Sequence, residues 1–453
     1  MLSSKDKKRR QIRIVSCILV LAFITFAAVI CFIAYLLIDK PEESLPAVAV
    51  VDDETMIETE TESETETETE TEEVSESAEK DVEETLELEL TEEDTSEAQT
   101  VSIEFTTEPA DPVYIDIVAV GDNLIHEEID VTVQLEDGSY YFDDIYDDAV
   151  KTLIQNADLA ILNQEVPCAG NEYGISGYPT FNAPTEVLDT AARLGFDVLT
   201  LATNHALDKG QIGLENTLSY LHTNYPNILT TGTSSTYEEY MTIPVIEVNG
   251  VKIAVLNYTY GTNGYSLYND YCVNLLSDTE KIQSDIERAR ECADCVIVCP
   301  HWGDEYVLSP NTEQRELAQF FADCGADLII GTHPHVVQPM EWVTSADGRQ
   351  VLVYYSLGNF VSAQVAVPRS LGGIAKITLE FYDGQISIVD NTLDFTVTYF
   401  TEENWTFDNF KVYMLRDFTD DLLSTYGIFR WVPDFTMQDF MNVVYTMNPE
   451  WEY

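Results

Sequence analysis

Positive charge is scarce in this chain. Of 453 residues only 22 are Lys or Arg, against 81 Asp and Glu, for a formal net charge of −59. That balance excludes a nucleic-acid binder working by general electrostatic attraction, since little would neutralise the phosphates. Histidine is scarcer still, at six residues. No internal repeat is visible, which excludes a solenoid or array. Aromatic residues are almost missing from residues 41–111, so no core can form there.

The first hundred residues are legible from composition. Residues 5–13 (KDKKRRQIR) are basic, and residues 14–38 form an uncharged apolar run. Such a run is long enough to span a bilayer, is long for a signal-peptide core, and lacks a clear A-x-A site. With Lys and Arg before it and acids after it, the positive-inside rule predicts a single-pass membrane anchor. The expected N-terminus is cytoplasmic and the C-terminal domain extracellular. Residues 39–111, including ETETESETETETETEE, predict a disordered acidic stalk whose like charges repel.

The eight cysteines divide in the same way. Cys17 and Cys31 fall in the apolar run, the other six beyond it. Cys292, Cys295 and Cys299 have a metal-like spacing on paper. Because Cys295 and Cys299 lie in the strand-like ADCVIVCP, they read mainly as small core residues. Disulfide pairing outside the cell stays open.

From residue 112 short apolar, β-rich runs alternate with helical patterns, which indicates an α/β sheet protein. VYIDIVAVGDN, DLAILN, the run at 196–202, VKIAVLNYTYG, ADCVIVCP and ADLIIG read as strands. The stretches at 145–156, 185–194, 213–223, 278–292 and 313–324 read as helices. VLVYYSLGNF, GIAKITLEF and QISIVD read as antiparallel strands adding a second sheet. The domain is expected over 112–395, with an aromatic-rich extension over 396–453 packed on it.

Five of the six histidines fall at or just beyond a predicted strand end. Asp122 and His126 follow the first strand in GDNLIH, and Glu165 the second in LNQEVP. Asn204 and His205 follow the third in LATNHALDKG; His301 follows the fourth in CPHWGDE, with Asp304 and Glu305 behind it. His333 and His335 follow LIIG in LIIGTHPHVVQP. His222, mid-helix, reads as structural. Ligands in α/β folds collect at such edges, and a mixed carboxylate, amide and imidazole set suits Mn, Fe or Zn. The set exceeds what one tetrahedral site needs, which favours two divalent metal ions.

The ordered motifs GD, NxE, NH, HWGxE and GxHxH resemble those of the CapA family of poly-γ-glutamate capsule biosynthesis proteins, similar to a branch of the calcineurin-like metallophosphoesterases. YPTFNAP, GFDVLTLATNHALDKG, GADLIIGTHPHVVQP and YSLGNF match too, and the resemblance covers roughly 113–382. It implies a four-layer α-β-β-α metallophosphoesterase-like sandwich with a dinuclear centre. Asp122 and His335 would bind one metal, Asn204, His301 and His333 the other, and Glu165 would bridge. His205 would donate a proton or stabilise phosphoryl oxygens, with Asp208 orienting it. Two positions depart from the phosphoesterase pattern. Leu124 stands where a histidine is usual, leaving His126 as the nearby imidazole, and Glu165 replaces an aspartate.

The resemblance implies hydrolysis of phosphate esters, or of an amide, in cell-envelope material, on a phosphate-ester or anionic-polymer substrate. Capsule polymer synthesis proteins are the expected partners. A non-hydrolytic metal-binding accessory to polymer assembly or export is the alternative. The acidic domain would repel a polyanion broadly, so any such substrate must be held locally, by metals and by Lys209 or Arg369.

Overall fold

The computed structural model describes residues 111–451. The apolar run at 14–38 and the acidic stretch, apart from Asp111, lie outside the described residues. Among the described residues no helix is long and apolar enough to cross a membrane.

Strands buried on both faces show no polar side, and the continuous apolar runs of this chain become such strands. In chain order all the strands, those with an exposed face included, are Val113–Asn123 (β1), Leu159–Gln164 (β2), Val198–Thr200 (β3), Leu229–Thr231 (β4), Val245–Val248 (β5), Val251–Thr259 (β6) and Cys295–His301 (β7). Leu328–Ile330 (β8), Val337–Thr344 (β9), Gln350–Leu357 (β10), Asn359–Val361 (β11), Leu371–Tyr382 (β12), Gln385–Glu403 (β13) and Thr406–Met414 (β14) complete them. They form two mixed sheets. The first runs β14-β13-β12-β1-β2-β3-β4, with β11 added parallel to the end of β1. The second runs β5-β6-β7-β8-β10-β9.

Within each sheet the central strands are parallel (β1 to β4, and β6-β7-β8-β10), so their C-terminal ends share one edge. Alternate residues of the second sheet face opposite ways. Ile253, Val255, Ile297, Leu328, Ile330 and Leu352 join the large core shared with the first sheet. Ala254, Leu256, Val296, Val298, Ile329 and Val353 instead pack on Ile282, Ile286, Ala318 and Phe321 of helices Thr279–Cys292 and Thr312–Cys324. The second of these helices starts sharply because Asn311 and Gln314 cap each other: the Gln314 amide donates to Asn311 Oδ1 (2.8 Å) and the Asn311 amide to Gln314 Oε1 (3.0 Å). Helices Asp148–Gln155, Glu186–Leu194 and Gly210–Asn224 bury Val150, Leu188, Leu214 and Leu218 in the large core. The result is an α/β sandwich of two mixed sheets.

The expected helices all form, but the second sheet is not built from the late strands alone. VLVYYSL (β10) lies in it, parallel to β8, whereas GIAKITLEF (β12) and QISIVD (β13) extend the first sheet antiparallel beside β1. Strand pairing is a tertiary choice that apolar alternation does not encode. β13 runs unbroken through residue 395, so the aromatic C-terminal segment begins inside a strand. Its rings then stack around Phe400, Tyr426 and Phe440. Cys295 and Cys299 are buried in the core as expected, and all six described cysteines are free thiols.

Candidate metal centre

Both sheets deliver residues to the shared edge. Asp122 ends β1, Glu165 follows β2, and Asn204, His205 and Asp208 lie in the turns after β3. These come from the first sheet. The second contributes His301 at the end of β7, and His333 and His335 beyond β8. Every one of these residues is buried. Two close backbone approaches make this possible. A Cβ on Gly121 would lie 1.9 Å from the Gly358 carbonyl oxygen, which accepts the Asp122 amide (2.8 Å). One on Gly331 would lie 2.2 Å from the Tyr355 carbonyl oxygen. Past Gly331, His333 and His335 both take left-handed backbone angles (φ 97° and 56°), a strained choice for non-glycine residues.

The geometry divides the cluster around Glu165. Asp122, Glu165 and His335 each offer a ligand atom within 4.8 Å of the others, and so do Glu165, His301 and His333. Glu305, His333 and His335 form a third such group at the exposed rim. His335 Nδ1 lies 2.9 Å from Asp122 Oδ2 and 3.1 Å from Asn359 Oδ1, which leaves Nε2 facing Glu165 Oε1 at 3.6 Å. His301 is fixed likewise: Nδ1 lies 3.0 Å from Thr332 Oγ1, while Nε2 is 2.8 Å from Asn204 Oδ1 and 3.9 Å from Glu165 Oε1. Asn163 Nδ2 donates to Asp122 Oδ1 (2.9 Å) and the His333 amide to the same oxygen (3.3 Å). Outer partners that pin one ring nitrogen and free the other are what metal-ligating histidines need.

Unpartnered atoms test whether a cation fits. Glu165 is buried, yet neither carboxylate oxygen has a hydrogen bond, and His333 Nδ1 is likewise buried and unpartnered. Leaving such atoms without partners costs free energy, so a cluster of acceptors facing one another fits a cation. The charges agree. Burial and then the neighbouring Asp122 carboxylate raise the Glu165 carboxyl well above its ordinary value. Burial and the other imidazoles hold His301 and His333 well below theirs, leaving them neutral and able to donate lone pairs. For His335 burial opposes the charge, but Glu165 and Asp122 outweigh it and bring the imidazole up to about 9. The buried His, Glu and Asp groups therefore fit a metal site.

Beside this cluster His205 Nδ1 lies 2.7 Å from Asp208 Oδ2, which also accepts the Phe181 amide (2.8 Å). The Phe181 ring stands edge-on to His205 at 4.8 Å between centroids. His126 joins none of the ligand groups: its Nδ1 faces the Leu124 carbonyl oxygen (2.9 Å), and burial pushes it down to about 4. Leu124 is core. His222 is exposed and lies 3.0 Å from Thr230 Oγ1, in a cavity of about 530 Å³ that shares no residue with the metal cluster. Lys209 and Arg369 stand outside the ligand groups. Asn163, Thr332, Asn359 and Asn263, whose Oδ1 accepts from Asn204 Nδ2 (3.1 Å), went unnoticed in the sequence as supports, since uncharged side chains leave no compositional trace. Only the NxE and YSLGNF motifs carry a signal for Asn163 and Asn359.

The fold and the cluster define the class: an α/β sandwich whose buried His, Glu and Asp groups at the sheet edge fit a metal site. Residues 116–364, more than half the chain, match the family described as bacterial capsule synthesis protein PGA_cap, and the chain belongs to that family. It is 38% identical over 172 residues to the PGA biosynthesis protein CapA of Bacillus subtilis, covering 38% of this chain and 44% of that protein. Its identity to the capsule biosynthesis protein CapA of Bacillus anthracis is 32% over 188 residues, covering 40% and 44%. The chain thus spans less than half the length of these curated relatives. Among solved structures it is similar to the calcineurin-like phosphoesterase YfkN of Bacillus subtilis (16% identical, TM-score 0.37, 74% of this chain and 99% of that one). It is similar also to a 5'-nucleotidase precursor of Thermus thermophilus (14%, TM-score 0.40, 63% and 54%).

Proposed function

We propose that this protein is a metal-dependent hydrolase of phosphate esters in cell-envelope material, anchored by residues 14–38 with its domain outside the membrane. The observation that carries the reading is Glu165, buried without a hydrogen bond between two sets of ligands. It would bridge two divalent cations, one held also by Asp122 and His335, the other by His301, His333 and Asn204. Divalent cations there supply charge against the phosphoryl oxygens and a nucleophile competent at neutral pH. The chain's own residues do the rest. Asp208 holds the Nδ1 side of His205, so Nε2 is the nitrogen left to pass a proton to the departing oxygen. Thr332 and Asn359 keep the two ligand imidazoles in register, and burial keeps bulk water out. The second reading, a non-hydrolytic accessory working with capsule polymer synthesis proteins, is favoured by the family's description, which concerns capsule synthesis.

The test uses the full chain. Bound metal is measured after reconstitution with Mn, Fe or Zn, and hydrolysis of an aryl phosphate is assayed on the same sample. Two metals with turnover is the expected result. Fewer than one metal per chain would sink the metal reading, and two metals without turnover on any phosphate ester would hand the site to the accessory role.

A further inference from the structure

Arg193, Arg288, Arg290, Arg315, Arg349 and Arg416 each lie in an ion pair with a carboxylate. Among the described residues Arg369 and Arg430 lie in none; Arg430 stacks on Trp405 in the C-terminal segment. Arg369 belongs to the short turn Val367–Ser370, and in a chain so rich in acids its lack of one needs a cause. Its guanidinium lies 4.5 Å over the Tyr306 ring, and that ring is 6.0 Å from the His335 ring. Both contacts are framed. The Tyr306 amide donates to the Pro334 carbonyl, between the two ligand histidines (2.8 Å), at a left-handed φ of 67°. Asn359, which pins His335, also donates to the Arg369 carbonyl oxygen (3.0 Å) and to Gln364 Oε1 (3.2 Å). Gln364 Nε2 in turn reaches the Tyr306 hydroxyl (3.4 Å). One amide network thus sets both a ligand imidazole and a half-buried, carboxylate-free guanidinium beside it.

The geometry points to Arg369 as a specificity residue that binds a carboxylate on the substrate, flanking the phosphoryl group held at the metal cluster. The Arg369 guanidinium, over the Tyr306 ring and bonded to its hydroxyl, has further N–H donors left over, which can meet a planar carboxylate in two parallel bonds. A carboxylate fits better than a second phosphoryl group, because the exposed Glu305 next to Tyr306 repels a dianion more than a monoanion. This inference rests on the proposed phosphate-ester reading and narrows it to esters of acidic, carboxylate-bearing molecules.

Two probes that cannot be hydrolysed separate the two claims: phosphonoacetate, which carries the carboxylate, and ethylphosphonate, which has a methyl in its place. Each is titrated calorimetrically into the Mn-loaded full chain, its Arg369→Gln variant and its Arg369→Lys variant, with metal content checked in all three. Phosphonoacetate is expected to bind the unaltered chain at least tenfold more tightly. Arg369→Gln should cut that ratio to within twofold while leaving ethylphosphonate unchanged, and Arg369→Lys should restore part of it. Equal binding of the two probes by the unaltered chain overturns the assignment and leaves the phosphate-ester reading standing. So does an equal loss of both in Arg369→Gln at full metal content. Binding of neither probe overturns both.

Discussion

Replacing Glu165 with glutamine should have opposite effects on stability with and without metal. Both Glu165 oxygens are buried without a hydrogen bond, and the repulsion from Asp122 outweighs the attraction of His335, 3.6 Å away. An unsatisfied buried polar group costs about 1–3 kcal/mol, and more when it is charged. In chelator at pH 8, Glu165→Gln removes an acid whose charged form burial disfavours and should stabilise the chain by about 1–3 kcal/mol, a rise of a few degrees in Tm. The sign follows from the raised folded pKa. Below the unfolded value, about 4.3, both states hold the proton and the penalty is absent; it grows as pH rises through the folded value. The gap should therefore close near pH 4. Manganese at a hundred times its Kd should add about 2.7 kcal/mol to the unaltered chain and little to the variant, reversing their order. Thermal unfolding followed by circular dichroism reads all of this. A variant less stable than the unaltered chain in chelator at pH 8 would show that Glu165 has a partner, and the cation argument would fall.

Other perturbations separate the roles of single residues. His205→Ala should keep bound metal and lower phosphate-ester turnover by about 10²-fold or more, whereas His333→Ala should lose metal; normal metal content in both variants would refute the assignment. Asp130 is buried with neither oxygen partnered, and burial and then Glu127 push its carboxyl up to about 8. Its stabilising share is complete below about pH 4 and lost as pH rises to about 8, so Asp130→Asn should raise stability at pH 8 by up to about 5 kcal/mol and leave it unchanged near pH 4. A parallel pH profile for the two proteins would contradict that. Gly121→Ala, with its Cβ 1.9 Å from a carbonyl oxygen, should lower stability by about 1–3 kcal/mol or more; an unshifted urea midpoint would count against the close approach.

The parts of this molecule legible in its sequence are those where burial is two-sided. β7, β8 and β1 from Ile117 onward read as strands because no residue along those runs had to face water. The ligands were legible for a related reason: scarce histidines stood at the ends of those runs. What stayed hidden depends on pairing between distant segments. β12 and β10 look equally apolar, yet one joins the first sheet and the other the second. Short edge elements such as β4, β5 and the helix Tyr237–Met241 bury too little to leave a pattern. The division of His333 from His335 was given by the family resemblance alone, since it turns on two left-handed residues that no propensity foretells.

The donors come half from one sheet and half from the other, and Glu165 stands at the seam. A cation bound there would act as a rivet, since drawing the sheets apart would first require breaking its coordination. Metal occupancy and the cohesion of the sandwich are then one equilibrium seen from two sides. Slower hydrogen exchange along β1 and β8 would accompany loading far beyond the ligands themselves. Neither half of the domain, expressed alone, would hold the ion.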